Sequence, residues 1–396
     1  MGMSKYKQIG EIVYPAPKIN LKKGELLNYI PMEELMPNNR FVKATQKREF
    51  KGGAKFEHND VVFARITPCL QNRKIAQYIN ESMEPAYGST EYFIFRAIPE
   101  ISDSAYIYYL LKSDLVVETA INSMKGASGR QRAEIDAVLD LEIDVPEYDT
   151  QIKIGNVLSV YDNLIENNNR RIAILEEMAQ RLYREWFVHF RFPGHGNVKM
   201  VESELGLIPE GWEPVRLETI IRRDKPGKLY DNKTVEISGK VPVFDQGKSG
   251  IIGYHNDEPG INASITNPVI IFANHTCYQR LVLEPFSAIQ NVIPFYPEEA
   301  ERDIYWLHYA TKDLIEINDY KGHWPEFMNK VLLLPALEVC KIFGKSVKDI
   351  ESELFLISKK NKILRKTRDH LLPQLISGDI DVSDLPIKMK EDSSNE

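Results

Sequence analysis

The chain repeats itself, and that restricts it to architectures built from two copies of one unit. Lys5–Val13 (KYKQIGEIV) matches Glu213–Ile221 (EPVRLETII) at an offset of 208 residues, and Val61–Ala64 (VVFA) matches Ile270–Ala273 (IIFA) at 209. Tyr106–Leu115 matches Tyr305–Leu314 at 199, and Ile143–Pro146 matches Leu332–Pro335 at 189. From the second match on the offset shrinks along the chain, as it does when loops between corresponding elements are trimmed. Each match is weak alone; their shared order carries the repeat.

After each proline of the last pair the pattern changes to a sustained seven-residue period. From about 150 to 187 one stripe is Ile154, Tyr161, Asn168, Leu175 and Leu182, beside Leu158, Ile165, Ile172, Ala179 and Trp186. From about 338 to 376 the stripes are Phe343, Ile350, Ile357, Leu364 and Leu371 beside Val347, Leu354, Asn361, Arg368 and Leu375. Heptads kept up this long specify helices that pair as a coiled coil. At 1.5 Å per residue each would be roughly 55 to 60 Å long, far beyond the average globular helix. A polar residue interrupts each seam, Asn168 and Asn361. If the helices run antiparallel these two meet, and a buried polar pair can set register at some cost in stability.

Ahead of each helical segment lies a mixed region. Strand-like runs at 60–66, 91–96, 269–273 and 292–296 alternate with turn-rich loops and one helix per copy, near 104–121 and 302–316. The fold class is therefore α/β (α+β), two similar globules alternating with two long antiparallel helices. The expected divisions are 1–149, first globule; 150–190, first long helix; 191–211, connector; 212–337, second globule; 338–378, second long helix; and 379–396, a disordered tail.

With 396 residues, 43% hydrophobic and 27% charged, composition is that of an ordinary globular protein of two to three domains. The longest apolar runs are strand-sized, and the start lacks the apolar segment of a signal peptide, so a cytoplasmic protein is expected. Cys69, Cys277 and Cys340 are too widely spaced for a disulfide framework or a zinc site. The net charge of −7 gives no global basic field, so any nucleic-acid contact must be local or shared with partners.

Three segments carry a family resemblance: Met178–Phe187 (MAQRLYREWF), Glu204–Trp212 (ELGLIPEGW) and Leu371–Gly378 (LLPQLISG). With them, from about residue 5 to 380, the chain resembles the DNA-specificity subunit of type I restriction-modification systems. That resemblance implies two target-recognition domains, each reading half of a split DNA sequence. It implies paired helices that act as spacer and as docking surface for two adenine-methyltransferase subunits, joined for cleavage by translocating endonuclease subunits. The chain itself would be non-catalytic and prokaryotic, with S-adenosylmethionine, ATP and Mg on the partner subunits. Because the two globules differ in sequence, the target would be asymmetric and interrupted. A 55 Å helix spans at most about 16 base pairs, so the unread gap would be shorter.

Base readout needs Arg, Lys, Asn or Gln at base edges. The first globule offers Arg65, Thr67, Gln71, Asn72, Arg73 and Lys74 after a strand, and Lys125, Ser128, Arg130, Gln131 and Arg132 in a Gly-rich loop. The second offers Asn274, His275, Thr276, Gln279 and Arg280, then Lys321, His323 and Trp324, with Gln246 and Lys248 in another Gly-rich turn. For any one of these, a solvated surface side chain is the commoner role. The basic clusters Arg40, Lys43, Lys47, Arg48, Lys51, Lys55 and Arg222, Arg223, Lys225, Lys228 suit phosphate contacts. Lys359, Lys360, Lys362, Arg365, Lys366 and Arg368 fall on the second helix, most of that run being expected as its solvated or partner-facing side.

The rival classes are a stand-alone DNA-modifying enzyme and a coiled-coil scaffold. An amino-methyltransferase would carry an Asn/Asp-Pro-Pro-aromatic motif, and no Pro-Pro occurs; no GxGxxG or HExxH occurs either. Gly247-Lys-Ser249 imitates the end of a phosphate loop but has Pro242 where the loop needs its first glycine. A scaffold explains the helices but not two large repeated globules.

Overall fold

The computed structural model describes residues 5–247, 250–299, 302–315 and 321–386. It divides into two compact units, residues 1–169 with 360–396, and residues 170–359.

In the first unit, Val61–Ala64 and Ile75–Tyr78 are buried along their whole length, because helices or a second sheet cover both faces. They form the middle of a five-stranded sheet, in order Val13–Pro15, Tyr92–Ala97, Val61–Ala64, Ile75–Tyr78, Phe41–Val42. A second sheet runs Gln46–Glu49, Leu26–Ile30, Ala86–Gly88, Ala54–Phe56, and a ribbon pairs Lys5–Gln8 with Glu142–Val145. The helix expected near 104–121 is two, Ser104–Lys112 and Asp114–Asn122, broken at Ser113.

The second unit rebuilds this plan. Val269–Ala273, wholly buried, lies in a sheet ordered Ile221–Arg223, Val292–Pro297, Val269–Ala273, Gln279–Val282. The second sheet runs Leu229–Tyr230, Ser287–Ile289, Val241–Phe244, Ile251–His255, and the ribbon pairs Glu213–Arg216 with Val331–Leu334. In both copies a short strand, 86–88 or 287–289, pairs parallel with an earlier strand, 26–30 or 241–244.

The helix of each globule starts on an aspartate cap, Asp103 or Asp303, whose Oδ1 accepts two backbone N–H groups at 2.8–3.0 Å. These caps set an offset of 200 for the helix, one residue from the sequence match. Each cap rests on a long helix at a glycine, the eighth residue of that helix. A Cβ on Gly155 would lie 2.7 Å from Asp103 Oδ1, and one on Gly344 would lie 1.9 Å from Asp303 Oδ2. The two glycines thus permit the same close approach in both copies.

The long helices are Tyr148–Tyr183, extended by a π-helical turn Arg184–Val188, and Leu337–Ile376, which carries Pro373 in its last turn. Every heptad stripe position named from the sequence is buried or half-buried. The helices pair antiparallel. In the first unit Ile154 and Leu158 share a core with Leu372 and Leu375, and Asp162 pairs with Arg368. In the second, Phe343 packs on Tyr183, Trp186 and Phe187, and Arg171 pairs with Glu353.

The connector is not plain loop: Met200–Ser203 and Gly206–Pro209 form a hairpin, and Trp212 stacks on Phe192 at 5.2 Å. The tail is folded through Pro386, with Val382 buried in the first unit's core; residues 387–396 lie outside the described residues. Among the described residues no helix is long and apolar enough to cross a membrane.

Candidate nucleic-acid interface

In the first globule the residues named after the strand and those in the Gly-rich loop come together. Ile66 and Lys125 each bridge to Arg132, and Thr67 donates its amide and hydroxyl to the Gln131 carbonyl at 2.9 and 3.1 Å. Glu91 accepts from Arg65 Nε at 3.2 Å and from Arg132 Nη2 at 2.7 Å. The Arg132 hydrogen bonds, set against partial burial and helped by Arg65, hold the Glu91 carboxyl below its usual range. Ser128 and Arg130 are exposed, and the Arg130 guanidinium has no ion-pair partner among the described residues. Lys125 pairs with Glu134 at 2.7 Å.

Gln71 and Asn72 are exposed on the rim of a hollow that Arg73, Lys112, Asp114 and Arg368 also line. Arg73 is tied down by Asp114 and the Lys112 carbonyl, and Lys74 donates to the Met32 carbonyl at 2.8 Å. Burial lowers the Lys112 ammonium to about 8; it donates to the Pro37 carbonyl and the Tyr108 hydroxyl.

In the second globule Gln246 Oε1 accepts from the His275 amide at 2.9 Å, and Thr276 donates its hydroxyl to the Gln246 carbonyl. His275 Nδ1 lies 3.0 Å from the Lys321 carbonyl. Asn274 Oδ1 accepts from the Trp324 amide at 2.8 Å, while the Trp324 ring packs on Phe272, Phe295 and Phe327. Arg280 lies against Phe244 and Tyr278. Lys248 lies outside the described residues.

Two named residues belong to the core. Gln279 is 6% exposed and donates to the His308 carbonyl at 2.8 Å; its side chain faces the helix beneath the sheet. His323 is 1% exposed, with Nδ1 3.4 Å from Glu326. Arg40, expected at phosphates, is also internal: it donates to Gln77 Oε1 at 3.0 Å, the Tyr109 hydroxyl at 3.3 Å and Ser159. Lys43, Lys47 and Lys228 carry exposed ion pairs with Glu81, Glu84 and Asp257, while Arg222, Arg223 and Lys225 are exposed.

Asn168 and Asn361 meet: Asn168 Nδ2 donates to Asn361 Oδ1 at 2.8 Å, and Asn361 Nδ2 donates to Asn169 Oδ1 at 3.0 Å. Beside them lies a buried network. Tyr109 donates its hydroxyl to Asp162, which also accepts from Arg368. Its counterpart is Tyr309 donating to Glu351, 200 and 189 residues on. Glu91, Asp162 and Glu351 are absent from the sequence candidates; for Asp162 and Glu351, an acid recurring at the copies' own offset together with Tyr109 and Tyr309 is the signal that could have found them.

The same scaffold twice, on antiparallel helices, narrows the comparison with known proteins. A profile described as the type I restriction modification DNA specificity domain matches residues 3–177. The chain is 24% identical to the MjaIX type I restriction enzyme specificity subunit of Methanocaldococcus jannaschii, over 97% of this chain and 94% of that one. It is 25% identical to the HindI specificity subunit of Haemophilus influenzae, over 87% of this chain and 92% of that one. Along nearly its whole length this chain is similar to type I specificity subunits. Its fold matches the crystal structure of the type I restriction-modification S subunit from M. genitalium with a TM-score of 0.55, at 18% identity, covering 95% and 96% of the two chains. Among the described residues no three His, Cys, Asp or Glu side chains are grouped to hold a metal.

Proposed function

We propose that this specificity subunit reads an asymmetric, interrupted DNA target, one half through each globule, and docks two methyltransferase subunits on its long helices. Endonuclease subunits join for cleavage, and the partners bring S-adenosylmethionine, ATP and Mg. The observation that carries the reading is a repeated backbone whose equivalent positions hold different side chains: one scaffold for two different half-sites.

The helices support the docking half. Outside the buried seam they expose Val160 and Leu164, Ile174 and Met178, and Leu356 and Ile363, each 41–66% exposed. Apolar pairs off the seam, two spaced i, i+4 and one i, i+7, suit a partner's surface. Purified with a methyltransferase subunit, the chain is expected to retain its target duplex over a scrambled one. Ile174→Glu with Met178→Glu is expected to release the methyltransferase while the circular dichroism spectrum is kept. Equal retention of both duplexes by the assembled complex would refute the reading.

A further inference from the structure

Both globules bring three segments together at one junction, and its side chains differ in kind. In the first, the Arg65 amide donates to the Glu91 carbonyl at 3.0 Å, and the Arg65 carbonyl accepts from Ala133 at 2.8 Å. In the second, the Asn274 amide donates to the Asn291 carbonyl at 2.9 Å, and the Asn274 carbonyl accepts from His323 at 2.9 Å. The backbone is therefore the same, with Arg65, Glu91 and Arg132 standing where Asn274, Asn291 and Gly322 stand.

In the first copy two guanidinium groups share one carboxylate. Their side chains are 33% and 46% exposed; Arg132 Nη1 also donates to the Arg130 carbonyl at 3.3 Å, and the N–H groups not spent on Glu91 or that carbonyl remain open to a ligand. A carboxylate behind an arginine fixes the plane of its fork and, between two arginines, does not leave net negative charge to repel a phosphate. In the second copy the arginine is gone. A Cβ on Gly322 would lie 2.9 Å from Asn274 Nδ2, so the Asn274 carboxamide occupies the side-chain space that glycine leaves. The Trp324 amide orients that carboxamide, which is half-buried in a hollow lined by Arg223, Lys225, Gln290, Asn291 and Trp324. Its oxygen keeps a second lone pair and its nitrogen two N–H donors.

Arginine matches guanine O6 and N7 with two donors; asparagine matches adenine N6 and N7 with an acceptor and a donor. Resting on the reading above, we propose that this junction is the base-reading position of each globule. Arg65 and Arg132, held by Glu91, select guanine in one half-site, and Asn274 selects adenine in the other.

The test is selection of randomised duplexes by the chain bound to its methyltransferase, scored by base and position. In Arg132→Ala and Arg65→Ala a guanine preference in one half-site is expected to fall roughly ten- to hundredfold, with the other half unchanged. Arg132→Lys, which keeps the charge but not the fork, is expected not to restore it. Asn274→Asp is expected to abolish an adenine preference in the opposite half only. Arg132 is surface-exposed, so matched melting temperatures for its variants separate readout from misfolding. The proposal is overturned if Arg132→Lys reads like the wild type, if the arginine variants weaken all sequences equally, or if all these variants change the same half. A wild-type complex with no interrupted preference would instead overturn the function proposed above.

Discussion

Replacing Arg368 by methionine tests how the first globule's core is joined to the helix pair. The Arg368 and Asp162 side chains are 3% and 2% exposed, and Asp162 also accepts the Tyr109 hydroxyl. Arg368→Met keeps an unbranched apolar stem but strands a buried carboxylate with one neutral donor. Breaking one partner of a buried ion pair costs about 3–5 kcal/mol, whereas replacing both with apolar groups is near neutral. In a double variant the Tyr109 hydroxyl loses the acceptor for its proton but its oxygen still accepts from Arg40 Nη1 at 3.3 Å. Urea denaturation therefore should show a loss of about 3–5 kcal/mol in Arg368→Met and recovery of most of it in Arg368→Met/Asp162→Leu. All four tryptophans, Trp186, Trp212, Trp306 and Trp324, lie in the second unit, so fluorescence follows that unit and circular dichroism follows both. A single variant within about 1 kcal/mol of wild type, or a double variant less stable than the single, would refute the reasoning.

Three further outcomes follow from the packing. Asn168→Leu alone should destabilise by about 1–3 kcal/mol, since Asn361 Oδ1 loses its buried donor, while Asn168→Leu/Asn361→Leu should match or exceed wild-type stability; thermal melts of the three decide. Gly344→Ala should be far more damaging than Gly155→Ala, because its added Cβ falls 1.9 Å from Asp303 against 2.7 Å from Asp103; yield of folded protein and melting temperature report it. Burial, aided by the nearby Lys312 charge, lowers the His308 imidazole to about 3, so the unfolded chain binds a proton that the folded one refuses. Its neutral burial therefore stabilises above about pH 6.5, and that stability drains as pH falls from 6.5 toward 3, by several kcal/mol; His308→Gln should flatten this slope in tryptophan-detected unfolding.

The long helices were legible because burial follows a period that composition cannot mask: each stripe residue from Ile154 to Trp186 and from Phe343 to Leu375 is shielded. Asn168 and Asn361 stood out as the polar breaks in that period. The parallel pairings of 26–30 with 86–88 and of 241–244 with 287–289 were not legible, since they join segments about 45 to 60 residues apart with no local signature. Nor does residue type tell a reading side chain from a core one. Gln279 and Arg40 have the same chemistry as Gln71 and Arg130, and only the tertiary fold puts the first two under a helix and leaves the others in solvent. Glu91 went unnoticed because a carboxylate does not suggest contact with DNA until the two arginines it holds are seen around it.

The most direct measurement is a map of methylated adenines in cells carrying this chain with its methyltransferase, before and after residues 212–337 are exchanged for the matching globule of another specificity subunit. One interrupted motif is expected, and the exchange should rewrite one half of it while the other half persists. A motif that changes throughout, or does not change at all, would contradict two independent reading heads on one chain.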